Sequence, residues 1–334
     1  MSSKRLQAKR NHHFVWAYYM KKWSTNNRDI YFTTKNKTIV FDSVRNVAVA
    51  QDFYQVGKLT KTHLEVIKGF LGDADEDLKR LHMSYLSDFI IFNRIEGYVD
   101  SNNILDDEVE QELKAFKSNG IENLHTAHEN EVKHILDRLI EGDLSVLEDK
   151  DRMMNFLIFY AHQMTRTKTM KDNAFLYKAK EDSVEGRYAR ILQESWWFVS
   201  YMLGLNVGRS LYLDRKSDNH CLLINNTDIP FITSDQPVIN AYRKTHDIVK
   251  PPEEHECDHY FPLSPKVAYM INKSDRFPSG KVSVTEDVIE EMNTKIAKLA
   301  NVNIISNSEG SLKPYRKYVG SWNQKIREQL GSDT

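Results

Sequence analysis

CLLINNTDIPFITSDQPVIN, residues Cys221–Asn240, is the stretch that decides the fold class. Upstream of it, from about Leu59 to about Lys216, apolar residues recur three and four apart, as in HLEVIKGFLG, DLKRLHMSYLSDFIIFNRI, EVKHILDRLI and MMNFLIFYAHQM, which is the period of helices facing a core. Inside it, the apolar blocks shrink to four or five residues and are punctuated by Asn-Asn-Thr-Asp and Ser-Asp-Gln-Pro, the signature of strands and their turns. The same short blocks continue in HYFPLSP, VAYMIN and NVNIIS. One helix interrupts them near Thr285–Ala300, with Ser283 and Glu286 in capping-box spacing, and a last amphipathic helix is expected over Leu312–Leu330.

At the other end, DIYFTTKNKTIVFD (Asp29–Asp42) reads as a hairpin turning at Asn36. Helices and strands are therefore segregated, which predicts an α+β fold in a single domain. Its parts are an N-terminal segment and hairpin (1–58), a central helical block (59–216), and a mostly antiparallel C-terminal sheet packed with helices (217–334). The charged, glycine-containing stretch from Glu96 to Gly120 is expected to be a surface excursion within the helical block.

Composition narrows the function. With 46 basic and 47 acidic residues there is no global field toward nucleic acid or anionic membrane, so any basic surface must be local. MNFLIFYA (Met154–Ala161) and WWFVSYMLGL (Trp196–Leu205) are shorter than the roughly 20 apolar residues of a bilayer span and read as buried helices. No apolar block of signal-peptide type follows the basic N-terminus, and Cys221 and Cys257 make no disulfide framework, so a reducing cytoplasm and no membrane partner are expected. Neither a phosphate-binding G-x-x-x-x-G-K-[ST] loop nor G-x-G-x-x-G is present, which disfavours ATP- or NAD-driven chemistry.

Several constellations could carry chemistry. In NHHFVWAYYM, His12 and His13 precede a burying aromatic run; imidazoles titrate near neutrality and suit proton transfer or phosphate contact, though solvent-facing histidines are common near termini. Gln163 and Arg166 share a helix face with Phe156 and Phe159. A buried guanidinium is costly without a partner, so Arg166 should meet a carboxylate, a phosphate or a cleft, and the structural alternative is an ion pair with Asp235. Ser234 and Asp235 stand where a strand runs out before Pro237; they either aim at something or make a local turn with the following amides.

Two patterns resemble zinc sites. His255, Cys257 and His259 would share one side of an extended strand, with His220 and Cys221 to complete a set, but the usual ligand spacing is missing. His125 and Glu129, or His128 and Glu131, share a helix face without the HExxH order, and a solvated face is expected there. Arg215 and His220 match a short R-x4-H pattern of helical ribonucleases, in a stretch that reads as a turn.

Taken together, Asn-His-His-Phe-Val, Gln163-x-x-Arg166-Thr167, Phe-Ile-Thr-Ser-Asp-x-Pro and Phe-Pro-Leu-Ser-Pro (Phe261–Pro265) resemble a widespread, mostly microbial and viral family of uncharacterised proteins, a domain of unknown function. The similarity runs through most of the chain. Trp16 and Lys168 stand where that family commonly has proline, and Gln236 where it commonly has Asn. The resemblance implies that His12 or His13, Gln163, Arg166, Ser234 and Asp235 converge, and it establishes no reaction.

A cluster of imidazole, guanidinium, amide and carboxylate suits a phosphodiester. The expectation is therefore a nuclease, RNA before DNA, with Mg²⁺ or no metal as cofactor, and the resemblance to that family implies a role as a toxin or anti-phage effector. In it, a histidine is the acid or base, Arg166 holds the phosphate, Gln163 orients it, and Asp235 orients the histidine or holds a metal. The alternatives are a non-catalytic binding protein built on an Arg166–Asp235 pair, and a zinc-dependent hydrolase.

Overall fold

A computed structural model describes residues 7–72, 74–176, 179–242 and 252–331. The N-terminal part holds β1 (Asn11–His13), α1 (Ala17–Met20), β2 (Asp29–Thr33), β3 (Ile39–Ser43) and β4 (Val49–Gln51). The hairpin of β2 and β3 forms as expected, although the left-handed turn residue is Lys37 (φ 59°) rather than Asn36. The short pair of β1 with β4 is an addition: NHH is an edge strand that aligns His12 opposite Ala50.

The helical block comprises α2 (Lys61–Gly69), α3 (Glu76–Ser101), α4 (Asp107–Ile140), α5 (Lys150–Thr165), α6 (Lys168–Ala174), α7 (Val184–Glu194) and α8 (Trp196–Asp214). The expected excursion between Glu96 and Gly120 is instead the meeting of two long helices across a short turn, capped by Asp106, whose carboxylate accepts from the amides of Glu108 and Val109. High charge there reflects helix faces in water, not absence of helix.

The C-terminal part adds β5 (Asn219–Asn225), β6 (Thr233–Ser234), β7 (Ile239–Asn240), β8 (Asp258–Pro262), β9 (Val267–Asn272), β10 (Gly280–Val284), α9 (Glu286–Leu299), β11 (Ile304–Ser306), α10 (Glu309–Leu312) and α11 (Ser321–Gly331). One sheet has the order β10-β5-β9-β8-β7 and is antiparallel except where β10 joins β5. A second has the order β3-β2-β11-β6 and joins the N-terminal hairpin to the C-terminal part. The fold is α+β.

Why CLLI, HYF and VAYMI are unbroken apolar runs is now plain. Along β5 and β9, Leu222, Tyr269 and Ile271 face the helical block, while Cys221, Leu223, Ala268 and Met270 face α9. Both faces of the central strands are buried, so alternation sorts side chains between two cores rather than between core and water.

Two details differ from expectation. Thr285, not Ser283, precedes α9, and it makes no side-chain cap bond, so the capping box is not formed. The last helix is broken after α10 by a 3-10 turn at Arg316–Tyr318, where Pro314 and the left-handed Gly320 (φ 74°) interrupt it. Among the described residues no helix is long and apolar enough to cross a membrane.

Candidate functional site: a buried histidine cluster around Arg166

The α5 stripe of Phe156, Phe159, Gln163 and Arg166 faces inward, and Arg166, the residue that ends the helix, is buried to 2% exposure. Its carboxylate partner is Glu129, at 2.8 Å, and its guanidinium also donates to Gln163 Oε1 at 3.2 Å. Glu129 comes from α4, where Ile121, His125, Val132, Leu136 and Leu139 lie on the same buried face. The expected solvated face of HTAHENEVKH is thus wrong. His125 and Glu129 continue an apolar stripe, and the exposed Thr126 and Ala127 between them and Asn130 after them hide it.

Around the pair the rings form a continuous chain. His12 lies 5.6 Å from Tyr54, Tyr54 5.2 Å from His125, and His125 4.9 Å from His162; His162 stacks on Tyr201 at 4.8 Å. His128 is 5.2 Å from His162, and its Nε2 is 2.9 Å from the Tyr201 hydroxyl. A glycine makes the room: a Cβ on Gly204 of α8 would sit 2.2 Å from His162 Nδ1, and one on Gly208 2.7 Å from Ile158 Cα. These two positions let α8 close directly on α5.

Burial holds these imidazoles neutral. It lowers His125 and His162 well below the usual histidine value, with Arg166 adding to the effect, and lowers His128 to about 4. His12 and His13 are lowered too, again mainly by burial. Burial pushes Glu129 upward, and Arg166 only partly pulls it back.

What sets the cluster apart is how few of its polar atoms have partners. Among the described residues, both ring nitrogens of His125 and His162, His12 Nε2, Tyr54 Oη, Gln163 Nε2 and Arg166 Nε are buried with none. Because the Tyr54 amide donates to His12 Nδ1 (3.1 Å), the neutral His12 ring carries its proton on Nε2, on the side of the Lys9 backbone. Buried polar groups are nearly always paired, so this concentration calls for a ligand or ordered water. Residues Gln7–Arg10 cross α4 beside the cluster, held by Lys9 N to Asn119 Oδ1 (3.0 Å), Asn119 Nδ2 to Gln7 O (2.9 Å) and Lys9 to Glu122 (2.8 Å).

The other expected members go elsewhere. His13 is half-buried on the β1 strand, 3.4 Å from the Val44 carbonyl. Asp235 is not the partner of Arg166: one carboxylate oxygen accepts from the amide of Asn301 (2.8 Å), the other from those of Val302 (2.7 Å) and Asn303 (3.0 Å). Ser234 makes the local turn, its hydroxyl donating to Gln236 O and accepting from the Gln236 amide. The two motifs nevertheless touch, because Thr167 bonds Gln236, which in turn donates to the Val238 carbonyl. An Asn at position 236 would be one methylene short of that reach.

The zinc expectations also fail on geometry. His255 lies in the 3-10 turn Glu254–Glu256 and His259 inside β8, so His255, Cys257 and His259 do not share a strand face. Among the described residues no three His, Cys, Asp or Glu side chains are grouped to hold a metal ion. Arg215 ends α8 and stacks on Tyr212, whereas His220 sits in β5 against the Tyr269 hydroxyl, so the R-x4-H pair spans a helix end and a strand.

No curated protein and no solved structure matches the chain. A family profile does, over residues 11–202 and 210–310, which takes in β1, the Gln163–Thr167 helix end and the Asp235 corner. The chain belongs to that family, the proteins of unknown function called DUF4238.

Proposed function

We propose that the Arg166 cluster is the reactive centre of a phosphodiester-acting hydrolase, with RNA as the preferred substrate. The observation behind this reading is the group of unpartnered buried atoms around Arg166 and Glu129. Donors gathered about one guanidinium suit the oxygens of a phosphate, and imidazoles held neutral suit proton removal. In this reading Arg166 and Gln163 hold the phosphate, and His12 donates to it from Nε2. A neutral imidazole, His128, takes the proton of the attacking hydroxyl as the new P–O bond forms, and the imidazolium so made returns that proton to the departing oxygen as the old one breaks. A toxin or anti-phage role belongs to the same reading.

Incubation of tRNA, total RNA and DNA with wild type, His12→Ala and Arg166→Ala, with and without Mg²⁺ or Mn²⁺, tests it on gels. Cleavage by wild type that falls at least a hundredfold in both variants is expected. Identical background in all three proteins overturns it.

A second reading is favoured by closure: Arg166, Gln163 and His162 are each 2% exposed or less. Here the chain is a non-catalytic binding protein, and Arg166–Glu129 takes the structural role once expected of Arg166–Asp235. It expects Arg166→Ala to lower stability by about 3–5 kcal/mol, with Arg166→Met plus Glu129→Leu largely restoring it and no catalytic activity in any of them. A wild-type melt for Arg166→Ala would overturn this reading.

A further inference from the structure

The long helix α3 carries two apolar stripes, and the fold uses one of them. His82, Leu86, Phe89 and Phe92 are buried, whereas Leu81, Ile91, Ile95 and Tyr98 are 39%, 53%, 48% and 64% exposed. The exposed positions Leu81, Ser84, Asp88, Ile91, Ile95 and Tyr98 follow one another at steps of three, four, three, four and three residues. That alternation is a heptad seam, the spacing that keeps one edge of a helix turned toward a second helix. From Leu81 to Tyr98 the seam runs about 26 Å along the axis. Its middle is apolar and its one charge is Asp88.

The polar positions decide what can cover it. Two copies of α3 laid parallel would set Asp88 against Asp88 in one layer of the seam, which is repulsive. Laid antiparallel, they match throughout: Ile91 meets Ile95, and Asp88 meets Tyr98, whose phenol can donate to the carboxylate, each pair occurring twice about a two-fold axis. Farther out, Ser84 falls opposite Asn102, the residue that caps α3, and Leu81 lies toward Leu105 of the following turn, which is 98% exposed. Arg94 is the charge nearest the axis. It lies four residues, about 6 Å, along the helix from the level of Asp88 in the opposite copy, so two guanidiniums are balanced by two carboxylates. Among the described residues neither Asp88 nor Arg94 has an ion-pair partner in its own chain. A carboxylate in the middle of the stripe also opposes an anionic lipid surface.

We propose that α3 is a dimerisation helix, pairing antiparallel with α3 of a second copy of this chain about an axis between Ile91 and Ile95. One helix from each copy makes a small interface, so the association is expected at roughly micromolar concentration. It stands apart from any reaction at Arg166.

Sedimentation velocity of the full chain from about 1 to 100 µM reads the association. Wild type should pass from monomer to dimer in this range. Ile91→Glu and Ile95→Glu should each weaken the dimer at least about tenfold while melting near wild type, because both side chains are exposed. Orientation is read by oxidation in a Cys257→Ser background, which leaves only the buried Cys221. There a mixture of Ile91→Cys with Ile95→Cys should form disulfide dimers, and each variant alone should form them far more slowly, since its two cysteines would stand about 6 Å apart along the axis. Wild type that stays monomeric to about 100 µM overturns the proposal. So does a dimer that both glutamate variants leave intact, or self-crosslinking of each cysteine variant as fast as the mixture. A monomer that floats with phosphatidylcholine vesicles, and ceases to in Ile91→Glu, makes the stripe a lipid contact and overturns it as well.

Discussion

Asp235 and Glu129 are both carboxylates buried beneath the surface, and burial pushes both upward from the usual range. Asp235 spends its two oxygens on three backbone amides of one loop, which is how a fold fastens a joint. Glu129 pairs with a guanidinium whose Nε has no partner among the described residues, near His125 and His162, whose ring nitrogens have none among them either. Burial and charge do not tell these two apart. Hydrogen-bond saturation does: a saturated buried charge holds structure, and an unsaturated neighbourhood is open to something from outside.

The largest expected effect tests the saturated side. Asp235→Ala strands three amides at the 301–303 loop and should cost about 3–5 kcal/mol in denaturant unfolding, with Asp235→Asn intermediate. A change below 1 kcal/mol would break the contrast. Next comes pH. His128 has its folded value lowered from 6.5 to about 4, so the unfolded chain binds the proton first and the native state is penalised as pH falls through that window. Its contribution is intact above about 6.5 and is lost progressively toward 4, by up to roughly 3 kcal/mol. Glu129, raised instead, works in the opposite sense, stabilising at low pH and losing that as pH rises through its folded value. Wild type compared with His128→Leu at pH 7 and pH 4.5 isolates the histidine: the difference should shift toward the variant in acid.

Gly204→Ala should cost about 1–3 kcal/mol by driving a methyl into the His162 ring, and should move the ring signals of His162 and Tyr201 in NMR spectra. On the unsaturated side the sign changes. His125→Phe removes two unpaired nitrogens while keeping a ring among Tyr54, His162 and Tyr201, so stability should stay level or rise by about 1 kcal/mol even if activity disappears. A fall of several kcal/mol would place the cluster with Asp235 as structure. The smallest effect is at Lys168, the first residue of α6, preceded by the extended Thr167 (φ −78°, ψ 157°). Proline suits that position, so Lys168→Pro should melt within about 0.5 kcal/mol of wild type.

Much of the architecture was legible because it rests on period. The change at Asn219, the β2–β3 hairpin and the helix at Glu286–Leu299 follow from spacing alone. β10 escaped because GKVSV, at the sheet edge, carries little apolar weight, and the α3–α4 hairpin because its charges masked its stripes. The need of Arg166 for a partner was legible, since burying a lone guanidinium is prohibitive. Which carboxylate answered it was not. Asp235 looked closer in kind, standing at a strand end in a recognisable motif, whereas Glu129 lay among charged residues of a long helix where only the continuation of Val132, Leu136 and Leu139 back through His125 would have exposed it.

The sheet that joins β2 to β11 carries a consequence in time. Ile305 must lie against Phe32, so the N-terminal hairpin stays without one of its neighbours until the strand β11 has left the ribosome. Synthesis order and assembly order are therefore opposed in this sheet, and β2 is completed by a strand made long after it.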